Sequence, residues 1–113
     1  MENGVPFVLA TDNVPINPLR AIWAAVVRKD EATGEVISPE QRITREDALR
    51  AMTTSGAFLS FDEDERGSIE VGKLADLVVL DKDLLTVREN EIKDIEVAMT
   101  IVGGRVVYQN GLE

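Results

Sequence analysis

Cysteine and histidine are both absent from the 113 residues. Without cysteine there is no disulfide framework and no thiolate site. Without histidine as well, the usual ligands of zinc and the commonest general base near neutral pH are missing. Chemistry performed by these residues alone has to rest on carboxylates, hydroxyls, lysine or tyrosine. Positive charge is also scarce: 12 basic residues face 21 acidic ones, a net charge of −9. A field of that sign repels phosphate backbones and anionic lipid, so neither nucleic acid nor a membrane is expected as a partner. Long apolar runs are lacking, and so are the basic start and apolar stretch of a signal peptide, which together suit a cytoplasmic protein.

The length is that of one modest domain, with ordinary apolar and charged fractions (44% and 29%) that argue for a folded chain. Pro6 to Thr11 (PFVLAT) reads as a strand buried on both faces, as in a parallel sheet. Asp12 to Ile16 follows as a loop, and Asn17-Pro18 places a capping side chain before a proline suited to the first helical turn. Leu19, Ile22, Trp23, Val26 and Val27 then keep the spacing of one buried helix stripe. From Asp30 to Ile43 the chain turns polar and is broken by Gly34 and Pro39, the pattern of a long connection or lid-like loop. Thr44 followed by Asp47 approximates a capping box for a second helix, whose face would continue through Leu49, Met52, Gly56 and Leu59.

Beyond Phe61 the character changes. An acidic stretch, Asp62 to Glu65, leads into strand-favouring residues at Ile69, Val71, Ala75 to Leu80, and Val97, Met99 and Ile101. Gly103-Gly104 between VAMTIV and RVVY has the spacing of a two-residue hairpin. The sequence therefore divides into an α/β piece, 1–61, and a β piece, 62–113, an α+β chain as a whole.

The stretch Gly67 to Lys73 reads G-x-x-x-x-G-K, nearly a phosphate-binding loop. It fails on its context. Leu74 stands where a magnesium-binding hydroxyl is required, Glu70 would oppose a phosphate, and the exit ADLVVL is strand-like where a helix must begin. Gly67 and Gly72 serve instead as turns on either side of a short strand, with Lys73 capping an exposed corner.

Three segments taken together resemble the C-terminal end of the metal-dependent amidohydrolases, closest to their long-chain branch: ATDNVPINPL near the start, ALRAMTTSGA in the second helix with GSIEVGKLADLVVLD after it, and AMTIVGGRVVYQNG near the end. The resemblance covers nearly the whole chain. It implies the last strand-loop-helix portion of a (β/α)8 barrel in 1–61 and a small C-terminal β-sandwich portion in 62–113, assembled with residues from the other end of a longer enzyme. It further implies hydrolysis of C–N bonds by a water held on one or two divalent metals, mostly zinc. Of the family's metal ligands only the aspartate closing the eighth strand has a counterpart, Asp12, which the resemblance makes both metal ligand and catalytic acid–base. Spacing alone leaves a second reading open, in which Asp12 and Asn13 merely turn the chain and cap backbone amides. Ala10-Thr11 replaces the branch's Gly-Ser and keeps the hydroxyl, and the seven preceding strands have no counterpart. The chain alone is therefore expected to bind no metal and to be inactive.

Other candidates are weaker. Asp62, Asp64 and Gly67 imitate a calcium loop in which Arg66 and Lys73 stand at two ligand positions. Glu89, Glu91 and Asp94 read as a solvent face, Trp23 as core, Arg20 and Arg28 as unmarked surface cations, and Tyr108 as a half-buried strand residue. Ser68, Thr53, Thr54 and Ser55 show no base partner. The rival to the hydrolase reading is a non-catalytic module that self-associates or docks on a larger partner. A homo-oligomer is expected under either reading, because an orphaned strand and an apolar helix face both need cover.

Overall fold

The computed structural model describes residues 3–12 and 16–111, so the loop expected at Asp12 to Ile16 falls largely outside the described residues. The N-terminal half is helical. Helix α1 is Pro18–Val27, α2 is Arg45–Met52 and α3 is Thr54–Leu59, with a short 3-10 turn at Pro39–Gln41. The C-terminal half holds strands β1 (Leu77–Leu80), β2 (Val97–Val102) and β3 (Arg105–Gln109), with a 3-10 turn at Glu89–Asp94 between β1 and β2. The strands form one antiparallel sheet in the order β1-β2-β3.

Helix α1 forms where its cap and stripe place it. The Asn17 side chain accepts from the Leu19 amide at 3.0 Å, and Pro18 begins the helix at no cost in hydrogen bonds. All five residues of the expected stripe are buried, Trp23 to 6% and Ile22 and Val27 to 3% of full exposure. The Thr44 hydroxyl likewise accepts from the Asp47 amide at 3.1 Å to start α2.

The second helix is not continuous. It breaks at Thr53, whose backbone leaves the helical region (φ −122°, ψ −87°) and whose hydroxyl donates back to the Leu49 carbonyl at 2.7 Å. Thr54 bonds the Arg50 carbonyl in the same way. Successive β-branched hydroxyl residues offer the backbone this alternative and strain the helix ladder. The expected face is also shifted: Ala48, Ala51 and Ala57 are buried, whereas Leu49 and Leu59 are exposed. At Ala57 a small residue is required because the backbone at Gly67 comes very close. A Cβ on Gly67 would lie 2.6 Å from the Ala57 Cβ and 3.2 Å from the Thr54 Cα, and Gly67 has φ +94°.

The expected strand at Pro6 to Thr11 is paired to no other strand among the described residues. Its one ladder-like bond runs from the Leu9 amide to the Ala51 carbonyl at 3.2 Å, and Leu9 packs at the margin of the core. A strand of this kind needs neighbours to hydrogen-bond with, and the described chain offers none. Nor do Ile69 and Val71 form a strand; they stand in an irregular loop, fully exposed. The hairpin forms as expected, Val102 opposite Arg105 and both turn glycines at positive φ (54° and 78°).

The core joins both halves. Leu19, Ile22, Trp23, Val26, Val27 and Ala48 pack with Leu84, Ile92 and Ile95. The residues 84–95 carry no clear period, which is why the sequence hides them: Ile92 sits alone among charges, yet the 3-10 turn buries it completely. Among the strands, Leu80 alone reaches this cluster.

Candidate functional site

Asp12 ends the described N-terminal segment and is exposed. Three residues before it, the Leu9–Ala51 bond ties that segment to the end of α2, and after it the chain reaches Asn17, the cap of α1. The carboxylate thus lies on the connection between two anchored points. Among the described residues there is no group of three His, Cys, Asp or Glu side chains able to hold a metal ion. The donors present do not by themselves fit the metal centre implied by the resemblance.

The near-phosphate loop is a stapled surface loop. The Lys73 ammonium donates to the Glu63 carbonyl at 2.6 Å and to the Ser68 hydroxyl at 2.8 Å, and pairs with Glu70 at 3.1 Å. The Ser68 hydroxyl in turn bonds the Glu70 carboxylate, and this contact, with Lys73 second, holds the Glu70 carboxyl below the usual carboxylate range. No base partner for Ser68 is visible in the sequence. The structure supplies a partner, but Lys73 is ion-paired and donating, so it does not serve as a base. The loop's neighbour Arg66 pairs with Asp62 and Asp76 at 3.9 and 3.8 Å, so Arg66, opposing calcium by sequence, opposes it in space too.

A second cluster was not legible in the sequence. Glu31 lies in the connection after α1 and pairs with Arg20 of α1 and with Lys93 of the 3-10 turn, the latter at 3.1 Å. The hydrogen bond from Lys93 leads the causes that hold the Glu31 carboxyl below its ordinary range, with the charges of Arg20 and Lys93 assisting. Lys93 also stands 5.2 Å from the centre of the Trp23 ring. The Trp23 Nε1 is buried without a hydrogen-bond partner among the described residues. Asp30, which precedes Glu31, accepts from the Thr33 amide at 2.7 Å, from the Thr33 hydroxyl and from the Ala32 amide, which lower its pKa, the Thr33 amide first. These contacts close the ribbon joined by the Lys29–Val36 bridge and clamp it to the helices. Arg28, at a left-handed helix end (φ 54°), is spent on the Ile37 carbonyl and the Gln41 side chain.

Between α2, α3 and β1 lies an open cleft of about 760 Å³, with Leu49, Met52, Leu77, Val78, Leu80 and Leu85 among its walls. Its apolar lining and its size suit either a ligand or a packing partner. No helix of the described residues is long and apolar enough to cross a membrane.

Known proteins resemble this chain along nearly all its length. It is 35% identical over 111 residues to the N-substituted formamide deformylase of Arthrobacter pascens, covering 96% of this chain and 20% of that protein. Protein LONG AFTER FAR-RED 3 of Arabidopsis thaliana is 37% identical over 93 residues, 82% of this chain and 16% of that protein. In fold it matches the crystal structure of an amidohydrolase from Thermotoga maritima with a TM-score of 0.68 at 22% identity, over 96% of this chain and 24% of that one. The chain thus spans about a fifth of the length of these curated relatives. The profile describing the amidohydrolase family matches residues 1–108, and on that match and the identity to the deformylase the chain belongs to the amidohydrolase family.

Proposed function

We propose that this chain is the C-terminal portion of a metal-dependent amidohydrolase that cleaves non-peptide C–N bonds, with Asp12 as its contribution to the reactive centre. The observation that carries the proposal is the 35% identity to an N-substituted formamide deformylase across 96% of this chain, against only 20% of that enzyme. In this reading 1–61 completes a barrel and 62–113 supplies part of a β-sandwich. The unpaired segment 6–11 waits for neighbouring strands, and the donors that Asp12 lacks come from the rest of the enzyme. A divalent metal, zinc in the family, belongs to that assembled centre. The substrate class the reading favours is an N-substituted formamide or a related small amide.

The sheet supports this reading. The register places Leu77 beside Ile101, Val79 beside Met99, and Ile101 beside Val106, giving a mainly apolar face on which Gln109, beside Met99, is the polar neighbour. Val79 and Val106 on it are about half exposed. In the enzyme this face is covered by the remaining sandwich; in the isolated chain it is the surface through which a homo-oligomer forms.

Grafting tests the proposal. This chain replaces the matching fifth of the Arthrobacter pascens deformylase, and deformylation is assayed with zinc or manganese beside the isolated chain and an Asp12→Asn graft. Activity in the graft, its loss on Asp12→Asn with the melting temperature unchanged, and none in the isolated chain are expected. Turnover by the isolated chain, or full activity in a folded Asp12→Asn graft, would overturn the assignment.

A further inference from the structure

We propose that Asn110 is a site of spontaneous deamidation whose product loosens the end of the sheet. The observation is a juxtaposition at the end of β3: an exposed asparagine, a glycine after it, and a carboxylate facing its amide. Asn110 lies in an exposed bend immediately after the strand and is followed by Gly111, whose φ is +72°. The Asn110 amide nitrogen of the main chain donates to the Ala98 carbonyl at 2.8 Å, the last rung of the ladder, and its Nδ2 lies 3.5 Å from the Glu96 carboxylate.

The chemistry needs only the chain and water. The main-chain nitrogen of Gly111 attacks Cγ of Asn110, forming a C–N bond. The bond from Cγ to Nδ2 breaks, and the proton lost by Gly111 is returned through solvent to the departing amide, which leaves as ammonia. A five-membered cyclic imide remains. Water then opens it at either carbonyl, giving aspartate or isoaspartate without any change of oxidation state. Asparagine is among the residues most prone to such loss, and a following residue without a Cβ leaves the attacking nitrogen unshielded. Asn17 and Asn90 are protected. Asn17 is followed by Pro18, which has no N–H to give up, and its side chain is engaged as a helix cap. Asn90 precedes Glu91 inside the 3-10 turn. Asn3-Gly4 is the same dipeptide in an exposed turn away from the sheet, and so serves as an internal reference.

The consequence is electrostatic and geometric. A donor to Glu96 becomes a second carboxylate facing it, at a corner where Asp81 already accepts from the Glu96 amide at 2.8 Å. Like charges set opposite one another destabilise a strand pair. In the isoaspartate form the extra methylene in the main chain also displaces the last rung from Ala98.

The purified chain is held in mildly alkaline buffer at growth temperature and sampled by ion exchange, peptide mapping and isoaspartate-specific enzymatic methylation. The expected result is a more acidic species with ammonia released, the change mapping to Asn110 and absent in Asn110→Gln. Amide exchange of Ala98 and Gln109 should quicken in the converted fraction. An Asn110 that stays intact while Asn3 and a free peptide spanning 109–112 convert would overturn the proposal. Conversion with unchanged exchange at Ala98 and Gln109 would overturn its structural half.

Discussion

The helical half and the sheet use apolar residues of the same kinds to opposite ends. Around α1, aliphatic side chains and Trp23 are sealed by α2 and by residues 84–95, so that Ile22, Val27 and Ile92 are almost wholly withdrawn from water. In the sheet, Val78, Val79, Val102, Val106 and Val107 are each close to half exposed or more. Burial, and not hydrophobicity of the residue, is what stabilises. The sealed core draws on α1, α2 and residues 84–95, while the sheet leaves much of its apolar surface open to solvent.

Substitutions in the two regions should separate them sharply. Trp23→Ala removes the largest side chain of the sealed core, and should cost about 3–5 kcal/mol in urea unfolding, a large share of a typical domain's stability. A smaller but still clear loss, about 1–3 kcal/mol, is expected for Gly67→Ala, which forces a side chain into both a left-handed backbone and the Ala57 contact. Val106→Thr on the open sheet face should change stability by less than about 0.5 kcal/mol, as surface substitutions do. A penalty there like that of the core would show the face to be covered in solution, and dilution should then reduce it.

The smallest effect concerns Glu31. Its carboxyl is held below the ordinary range by Lys93 and then Arg20, so a depressed pKa links it to stability. The clamp contributes fully above the unfolded carboxylate pKa and is lost as pH falls through the folded one. Glu31→Gln should therefore lower the melting temperature slightly near neutrality, with the difference vanishing in acid and shrinking in high salt. A difference that persists in acid would assign the effect to packing rather than charge.

What could be read in the sequence depended on how local its cause was. The α1 stripe, the Asn17 and Thr44 caps and the Gly103-Gly104 hairpin each rest on residues within a few positions of one another, and each formed where expected. The Thr53 break was missed because helical spacing hides the competition of hydroxyls for backbone carbonyls. Leu49 keeps helical spacing with the apolar face yet stands exposed, because the orientation of α2 against its neighbours, which spacing does not encode, buries Ala48 and Ala51 instead. For the candidate site, residue type and family resemblance pointed to Asp12, and the fold adds the two anchors that flank it. The Glu31, Lys93 and Trp23 cluster had no sequence signal, its members being brought together from 62 and 70 residues apart.

By itself the sequence determined where helices begin, which face of α1 is apolar, the hairpin turn and the family, since capping, periodicity and turn chemistry act between near neighbours. Only the tertiary structure decided that residues 84–95 close the core while, among the described residues, the Pro6–Thr11 segment finds no partner strand and the sheet remains open. Those outcomes turn on which distant surfaces are available to meet, and burial is settled by the partner a residue finds as much as by the residue itself.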